Sequence, residues 1–373
     1  MEATKHHSYK SGQLCEGCRR CVKGEKLVLF ITGLCPQRCF YCPVSEHKFG
    51  HDVVYANEWQ IQDPDNPVEL IKEAELTSAK GAGITGGDPL ANTDRCEKYI
   101  KLLKQRFGKD FHTHLYTPME LVTDERLEKL YSAGLDEIRF HPDLDNDEKW
   151  DRILLAKKYD WTIGVEIPAV PGYEDKTKKL IDYIADKAEF INLNELELSD
   201  TQAKHYKLHE MGFKPKDNIS YGVENSTEFA KEILEYAKTK NLAAHYCTAK
   251  LKDGVQVKNR LLRRAKNIAL PFDEQTDEGT LIRGCAYVPE LQPQAHYKDK
   301  VKEANKEEIL KKLAEAKDKL DCLSKIDETK LRLIVPAETI EQNANKIKAL
   351  GLIPTKVEEY PSQDQLEVEV EFL

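Results

Sequence analysis

Lys26-Leu27-Val28-Leu29-Phe30-Ile31-Thr32-Gly33 is a short apolar, β-rich run closed by glycine, and Leu34 joins it to Cys35-Pro36-Gln37-Arg38-Cys39-Phe40-Tyr41-Cys42. Such a run reads as a buried strand entering a loop, so three cysteines spaced C-x3-C-x2-C stand on one loop directly after a strand. Outward from there, residues 67–80 carry Val68, Ile71, Ala74 and Leu76 among acids and lysines, an amphipathic helix beginning at Pro67. Gly81-Ala82-Gly83-Ile84-Thr85-Gly86-Gly87-Asp88-Pro89 then ends the second strand. Helices over 93–105, 124–132, 150–158, 176–186 and 227–238 alternate with strands over 111–117, 137–142, 162–170, 190–197 and 243–246. Strands separated by helices predict parallel βαβ units, and six or seven of them predict an α/β fold. A partial or full parallel βα barrel fits, although an open doubly wound sheet has the same period. Past Pro289 the character changes to a Lys/Glu-rich helix over about 299–323 and a strand, a helix and further strands. The expected organisation is a Cys-rich N-terminal extension over 1–25, the barrel over 26–288, and a linker helix with a small α+β domain over 289–373.

The chain has 373 residues, 40% hydrophobic and 32% charged, which allows a sizeable core under a charged surface. No run of about 18 apolar residues could span a bilayer. Residues 1–12 are polar and carry no secretory signal pattern, so the expected location is the cytoplasm. A formal net charge of -9 opposes long-range attraction of a polyanion, so nucleic acid is not favoured as a partner. The basic stretch Lys258, Arg260, Arg263, Arg264 and Lys266 reads first as a solvated helix face. Residues 248–269, with Lys252, Gln256 and Arg260, are an alternative anion clamp.

Ten cysteines are present, and Cys15, Cys18, Cys21, Cys35, Cys39 and Cys42 fall in one short region. In a reducing compartment such crowding favours metal or cluster ligation over disulfides. Thiolates are the natural ligands of iron–sulfur clusters, which ordinarily take four; three on one loop leave one iron open to chemistry. A zinc knuckle is the competing reading, but structural zinc sites are closed four-ligand tetrahedra with paired C-x2-C spacings. Gly86-Gly87-Asp88-Pro89 alone is an ordinary turn. At the C-terminal end of a strand beside the cysteine loop, its glycines would let backbone approach a ligand closely.

The cysteine spacing, Tyr41 before the last cysteine, and the place of both motifs in the βα order resemble the radical S-adenosylmethionine (SAM) superfamily. That resemblance implies a [4Fe-4S] cluster on Cys35, Cys39 and Cys42, with SAM chelated at the open iron and Tyr41 near its adenine. Gly86, Gly87, Asp88 and Pro89 stand where the family carries a Gly-Gly-Glu-Pro-like motif, with Asp88 departing from Glu. Glu166 lies in the fifth-strand region that helps hold SAM in related proteins. The implied activity is reductive cleavage of SAM to a 5'-deoxyadenosyl radical acting on an unknown substrate, with a flavodoxin- or ferredoxin-like external electron donor. No catalytic side chain is assigned. From the first cysteines through Gly279 the chain also resembles archaeal radical SAM proteins related to pyruvate formate-lyase activating enzymes; segments 26–43, 83–89, 137–142, 166–172 and 247–260 carry this likeness.

Two further sets are candidates. Charged residues on strands buried on both faces are costly unless paired or facing a cavity, which singles out His114, Arg139, Glu166 and Asn194. Cys15, Cys18 and Cys21, spaced C-x2-C-x2-C, suggest a second site completed by Cys247 or, alternatively, Cys285; a second iron–sulfur cluster and zinc both fit. The rival function is a non-catalytic iron–sulfur or zinc scaffold or electron carrier. The Gly86–Pro89 motif counts against it, because a carrier needs no SAM-facing loop.

Overall fold

Seven parallel strands point mostly apolar side chains to one face and mostly polar ones to the other, and this alternation sets the architecture. In the computed structural model, which describes residues 1–294 and 296–373, the chain divides into two compact units, Met1–Arg260 and Leu261–Leu373. The first unit begins with β1 (Glu2–Ala3), β2 (Tyr9–Ser11), α1 (Glu16–Val22), β3 (Lys26–Phe30), β4 (Val54–Ala56) and β5 (Trp59–Ile61). It continues with α2 (Val68–Leu76), β6 (Gly81–Thr85), α3 (Thr93–Phe107), β7 (His112–Pro118), α4 (Asp124–Ala133), β8 (Glu137–His141) and α5 (Ile153–Ala156). Then follow β9 (Thr162–Ala169), α6 (Glu174–Ile184), β10 (Phe190–Glu195), α7 (Ser226–Thr239), β11 (Ala243–Cys247) and α8 (Ala249–Leu251).

The sheet order is β1-β2-β11-β10-β9-β8-β7-β6-β3-β4-β5. From β3 to β11 every pairing is parallel, as crossover helices require. The first and last parallel strands do not pair with each other; antiparallel strands flank both, β4–β5 on β3 and β2–β1 on β11. The first unit is therefore an open parallel βα barrel. On the outward face Leu27, Leu29, Ile84, Leu115, Ile138, Val165, Ile167, Ile191 and Leu193 form a continuous core with helix residues such as Leu103, Leu130, Ile181 and Leu234. The inward face carries Lys26, His112, His114, Glu137, Arg139, Asn192 and His245, all buried. The interior is thus polar, unlike the branched apolar layers that fill many barrels.

Local chemistry explains the departures from expectation. The helix expected over 150–158 shrinks to a 3-10 turn at Trp150–Arg152 and the short α5, because the Trp161 indole takes the Ala156 carbonyl at 2.9 Å and ends it. The helix expected over 299–323 is two, α10 (Tyr297–Glu303) and α11 (Lys306–Leu320), divided where the Asn305 side chain caps the second by accepting from Glu308 N.

Helix α9 (Lys258–Ile268) runs across the division between the units. Residues 261–288, read from sequence as part of the barrel, lie in the second unit and supply β12 (Glu274–Gln275) and β13 (Leu281–Tyr287). With β14 (Lys325–Asp327), β15 (Arg332–Val335), β16 (Ile353–Glu359) and β17 (Glu367–Phe372) they make an antiparallel sheet ordered β14-β15-β13-β16-β17, β12 pairing with β13. Helices α12 (Ala337–Gln342) and α13 (Ala344–Ala349) complete the unit, whose own core includes Leu313, Leu333, Val335 and Ile347. Among the described residues no helix is long and apolar enough to cross a membrane.

Candidate active site

Backbone hydrogen bonds staple the two sequence motifs together. Gly87 N donates to Thr32 O and Asp88 N to Leu34 O, both at 2.8 Å. A Cβ on Gly87 would lie 2.6 Å from Leu34 O, 2.8 Å from Gly33 O and 2.9 Å from Cys35 Cβ, so only glycine fits against the cysteine loop. Cys35, Cys39, Cys42, Tyr41, Gly86, Gly87 and Pro89 all line one cavity of about 720 Å³.

Asp88 differs from the role expected of it. Its side chain is fully buried, and Oδ1 accepts from Leu90 N at 3.0 Å and Thr117 Oγ1 at 2.8 Å, which starts the turn at Pro89–Asn92. Among the described residues Oδ2 has no partner, and burial pushes the carboxyl up to about 6. Its glycine and proline neighbours border the cavity; its carboxylate holds the turn.

Burial lifts the Cys35 thiol to about 11 and the Cys39 thiol to about 12, and raises Cys42 as well. Three crowded thiols that retain their protons suit a metal centre, which takes cysteine as thiolate and releases the protons. Among the described residues no three His, Cys, Asp or Glu side chains converge on a single ion. A four-iron cluster does not ask for that convergence, since each cysteine binds a different iron. The residues present fit such a cluster.

Around the loop, Tyr41 OH lies 2.8 Å from His141 Nε2, and His141 Nδ1 lies 2.8 Å from the Glu166 carbonyl. A carbonyl only accepts, so Nδ1 carries the proton and Nε2 accepts from the phenol. Burial keeps this histidine below its usual range. The Glu166 carboxylate lines the cavity and accepts from Arg139 Nη1 at 2.7 Å, Asn192 Nδ2 at 3.0 Å and Asn194 Nδ2 at 2.8 Å. Arg139 also donates through Nε to Glu137 Oε1 at 2.6 Å, so the four candidates from the strand analysis join one network, His114 reaching it through Tyr116.

Helix α1 packs against β3 and β7 and brings the N-terminal cysteines to the polar interior. Gly17 N donates to Glu137 Oε2 at 3.2 Å; Arg139 Nη2 lies 3.3 Å from Cys15 Sγ and 3.6 Å from Cys18 Sγ; Asn192 Nδ2 lies 3.1 Å from Cys18 Sγ. A bond from Cys15, then the Arg139 charge and His245, favour the Cys18 thiolate. Burial lifts Cys21 and Cys247 each to about 12, and Cys18, Cys21 and Cys247 are electrostatic neighbours. Cys285 is instead fully buried in the second unit with Tyr287, Ile334 and Val357.

Sequence reasoning missed two features. The connection over 196–225 folds over the cysteine loop: Lys207 N donates to Phe40 O at 2.7 Å and Thr201 Oγ1 to Val44 O at 3.0 Å. Leu196, Tyr206, Leu208, Val223 and Val170 give it a small core against Phe40 and Tyr41. The second is Lys26, on the inner face of β3 beside His112; its place at i, i+2 spacing from Val28 and Phe30 was the available signal. Of the expected anion clamp, Lys252 and Gln256 line the cavity from a π-helical turn (Lys252–Val257), while Arg260 pairs with Glu58.

A model of the radical SAM superfamily matches residues 29–187. A putative glycyl-radical enzyme activating enzyme of Methanocaldococcus jannaschii is 44% identical over 292 residues, 76% of this chain and 76% of the relative. A probable GTP 3',8-cyclase of the same organism is 31% identical over 127 residues, 34% of this chain and 39% of that protein. Among solved structures, a radical SAM methyltransferase from Kitasatospora setae aligns with TM-score 0.38 and 13% identity, covering 75% of this chain and 60% of that one. Methylornithine synthase aligns with TM-score 0.37 and 12% identity, covering 61% and 71%.

Proposed function

Because the chain belongs to the radical SAM superfamily, we propose that its polar barrel interior is the chamber in which a SAM-derived radical meets substrate. The protein is an enzyme of that class, and its [4Fe-4S] cluster, when bound, supplies the electron that cleaves SAM to a 5'-deoxyadenosyl radical. We infer that Cys35, Cys39 and Cys42 hold the cluster. The observation that carries this is the stapling of the cysteine loop to Gly86–Pro89 with both facing one cavity.

In this reading Gly86, Gly87 and Pro89 offer backbone at close range to SAM, and Asp88 serves by fixing their turn. Tyr41, oriented by His141, forms a flat wall beside the loop. Glu166 Oε2 is occupied by Arg139 and Asn192, whereas among the described residues Oε1 accepts only from Asn194 and keeps capacity for a ligand hydroxyl or amine. The 196–225 connection keeps water from the loop.

Cys15, Cys18, Cys21 and Cys247 would hold a second centre. An iron–sulfur cluster is favoured over zinc there, since zinc needs its ligands converging on one ion and no such convergence is present among the described residues; Arg139 suits the negative charge of a thiolate centre of either kind. An external flavodoxin- or ferredoxin-like protein would supply electrons, and the cytoplasm suits ten free thiols. A glycine of a partner protein is the substrate that the relative's name supports.

The test is anaerobic reconstitution with iron and sulfide, reduction, and measurement of 5'-deoxyadenosine from SAM. Wild type should form it and Cys39→Ala should fall to background. No product from wild type, with a cluster spectrum unchanged by SAM, would favour the metal scaffold instead.

A further inference from the structure

The chain carries a formal net charge of -9, yet the surface over the cysteine loop has the opposite sign. Segments 34–51 and 199–216 hold Arg38, Lys48, Lys204, Lys207, Lys214 and Lys216 against only Glu46, Asp200 and Glu210. Contacts join the two segments. Gln202 N donates to Glu46 Oε2 at 3.1 Å, and the Phe49 ring lies 4.1 Å from the His205 ring and 4.8 Å from the Arg38 guanidinium. Phe213 packs into the small core against Phe40 and Tyr41, and Lys214 next to it is exposed.

Internal partners account for part of this charge and leave the rest. Lys207 pairs with Glu210 at 2.8 Å, Lys216 pairs with the buried Glu195, and the Lys48 ammonium lies 3.9 Å from the Tyr55 ring centroid. Arg38 donates through Nη1 to Cys35 O and Gln37 O, which fixes it beside the first cysteine. Arg38, Lys204 and Lys214 are exposed, and among the described residues none of them pairs with a carboxylate. Leu34 is 39% exposed and Pro36 is exposed too, so an apolar edge flanks Cys35 within this basic surround. The loop therefore has two sides. Its three cysteines line the cavity, where SAM and substrate meet, while Leu34, Pro36 and Arg38 face solvent. What has to arrive from the solvent side is an electron, and its carrier must come close because electronic coupling decays steeply with distance.

We propose that this surface docks an acidic one-electron carrier protein, with Leu34 and Pro36 at the centre of the contact and Arg38, Lys204 and Lys214 on its rim. The inference rests on the radical SAM reading and supplies the docking site of its electron donor. In the docked pair the carrier loses one electron and the cluster held by the loop gains it; no proton moves and no bond forms or breaks. Unpaired rim charge of one sign steers an oppositely charged protein and speeds encounter, even on a molecule whose net charge is negative. A small apolar centre inside a charged rim suits a transient contact that must release the oxidised carrier. A nucleic acid is drawn by the same sign, but Leu34 and Pro36 give its bases no aromatic ring to stack on.

Reduced flavodoxin and, separately, a reduced ferredoxin would be mixed with the reconstituted protein, and bleaching of its cluster followed by stopped flow, with dithionite as the small-molecule reductant. Binding of each oxidised carrier would be measured by calorimetry. The variants are Lys204→Glu with Lys214→Glu, and, as a control of equal charge change, Lys109→Glu with Lys238→Glu. The control lysines precede β7 and β11, at the opposite end of the parallel strands from the loop. Wild type should bind and accept electrons from at least one carrier, at a rate that falls as salt rises toward about 1 M, where the Debye length is about 3 Å. The first pair should lower that rate at low salt about tenfold or more and weaken binding, leaving dithionite bleaching unchanged, while the control pair keeps all three. The proposal is overturned if wild type binds neither carrier, if its rate ignores salt, or if the two pairs lose rate equally. It also fails if an oligothymidylate binds more tightly than either carrier, or if the first pair slows dithionite as well, which would make these lysines part of the loop's own structure. Formation of 5'-deoxyadenosine by wild type with dithionite tests the underlying reading separately, since it needs no carrier.

Discussion

At Gly87 the two motifs of the site touch, and a single methyl group there should separate them. Gly87→Ala should cost about 1–3 kcal/mol in denaturant unfolding of the metal-free protein and lower the iron that the protein takes up on reconstitution. Gly254→Ala, where a Cβ meets nothing within 4 Å, is the control and should change neither. Asp88 offers a pH test. Its folded-state value of about 6 lies above the ordinary 3.8, so its contribution is fully present below about 3.8 and is lost as pH rises through about 6. Relative to Asp88→Asn, the metal-free wild type should therefore lose about 3 kcal/mol between acid and neutral pH, measured by unfolding at each pH. A constant difference would mean that the carboxyl is not desolvated. The cysteine spacing and the Gly-Gly-Asp-Pro turn were legible because short-range spacing carries them. The direction of the Asp88 side chain was not, since it depends on Thr117, a residue on another strand. Lys26 was hidden because a lysine opening an apolar run looks like a solvated strand end.

The barrel strands were legible as elements because βαβ alternation is a local pattern, and their outward residues follow the period of two. What the pattern did not reveal was that the inward set is polar, which becomes visible only when consecutive strands are laid side by side in register. The 196–225 connection has neither helical nor strand period and is organised by contacts with Phe40, Val44 and its own small core. Tyr206 holds that core together, being 7% exposed and accepting from Ser199 N at 2.8 Å. Tyr206→Ala should loosen the cover and speed removal of cluster iron by a chelator several-fold, followed as loss of visible absorbance. An unchanged bleaching rate would show that the connection does not shield the loop. The shortened helix at 153–156 has a similarly non-periodic cause, the Trp161 indole occupying its last carbonyl.

For the whole molecule, two separate cores imply two separable stabilities. Leu333→Ala, fully buried in the second unit, should lower one unfolding transition by about 2–4 kcal/mol and leave the cluster spectrum of the reconstituted protein unaltered. A single transition displaced as a whole would instead mean that the units unfold together. The boundary between them falls within α9, where helical periodicity continues unbroken and composition gives no mark. A last consequence concerns the order in which the chain is made. Strand β2, at residues 9–11, pairs with β11 at residues 244–246, and α1 follows β2 directly. Residues 9–22, made well before β11, must therefore wait for the last strand of their unit before they can dock, which is the slow, high-contact-order part of such a topology. Until then Cys15, Cys18 and Cys21 lack their native neighbours, so oxygen and stray metal compete for them chiefly during synthesis. Oxidation of these three thiols, read by mass spectrometry, should therefore be faster in the nascent or unfolded chain than in the folded metal-free protein.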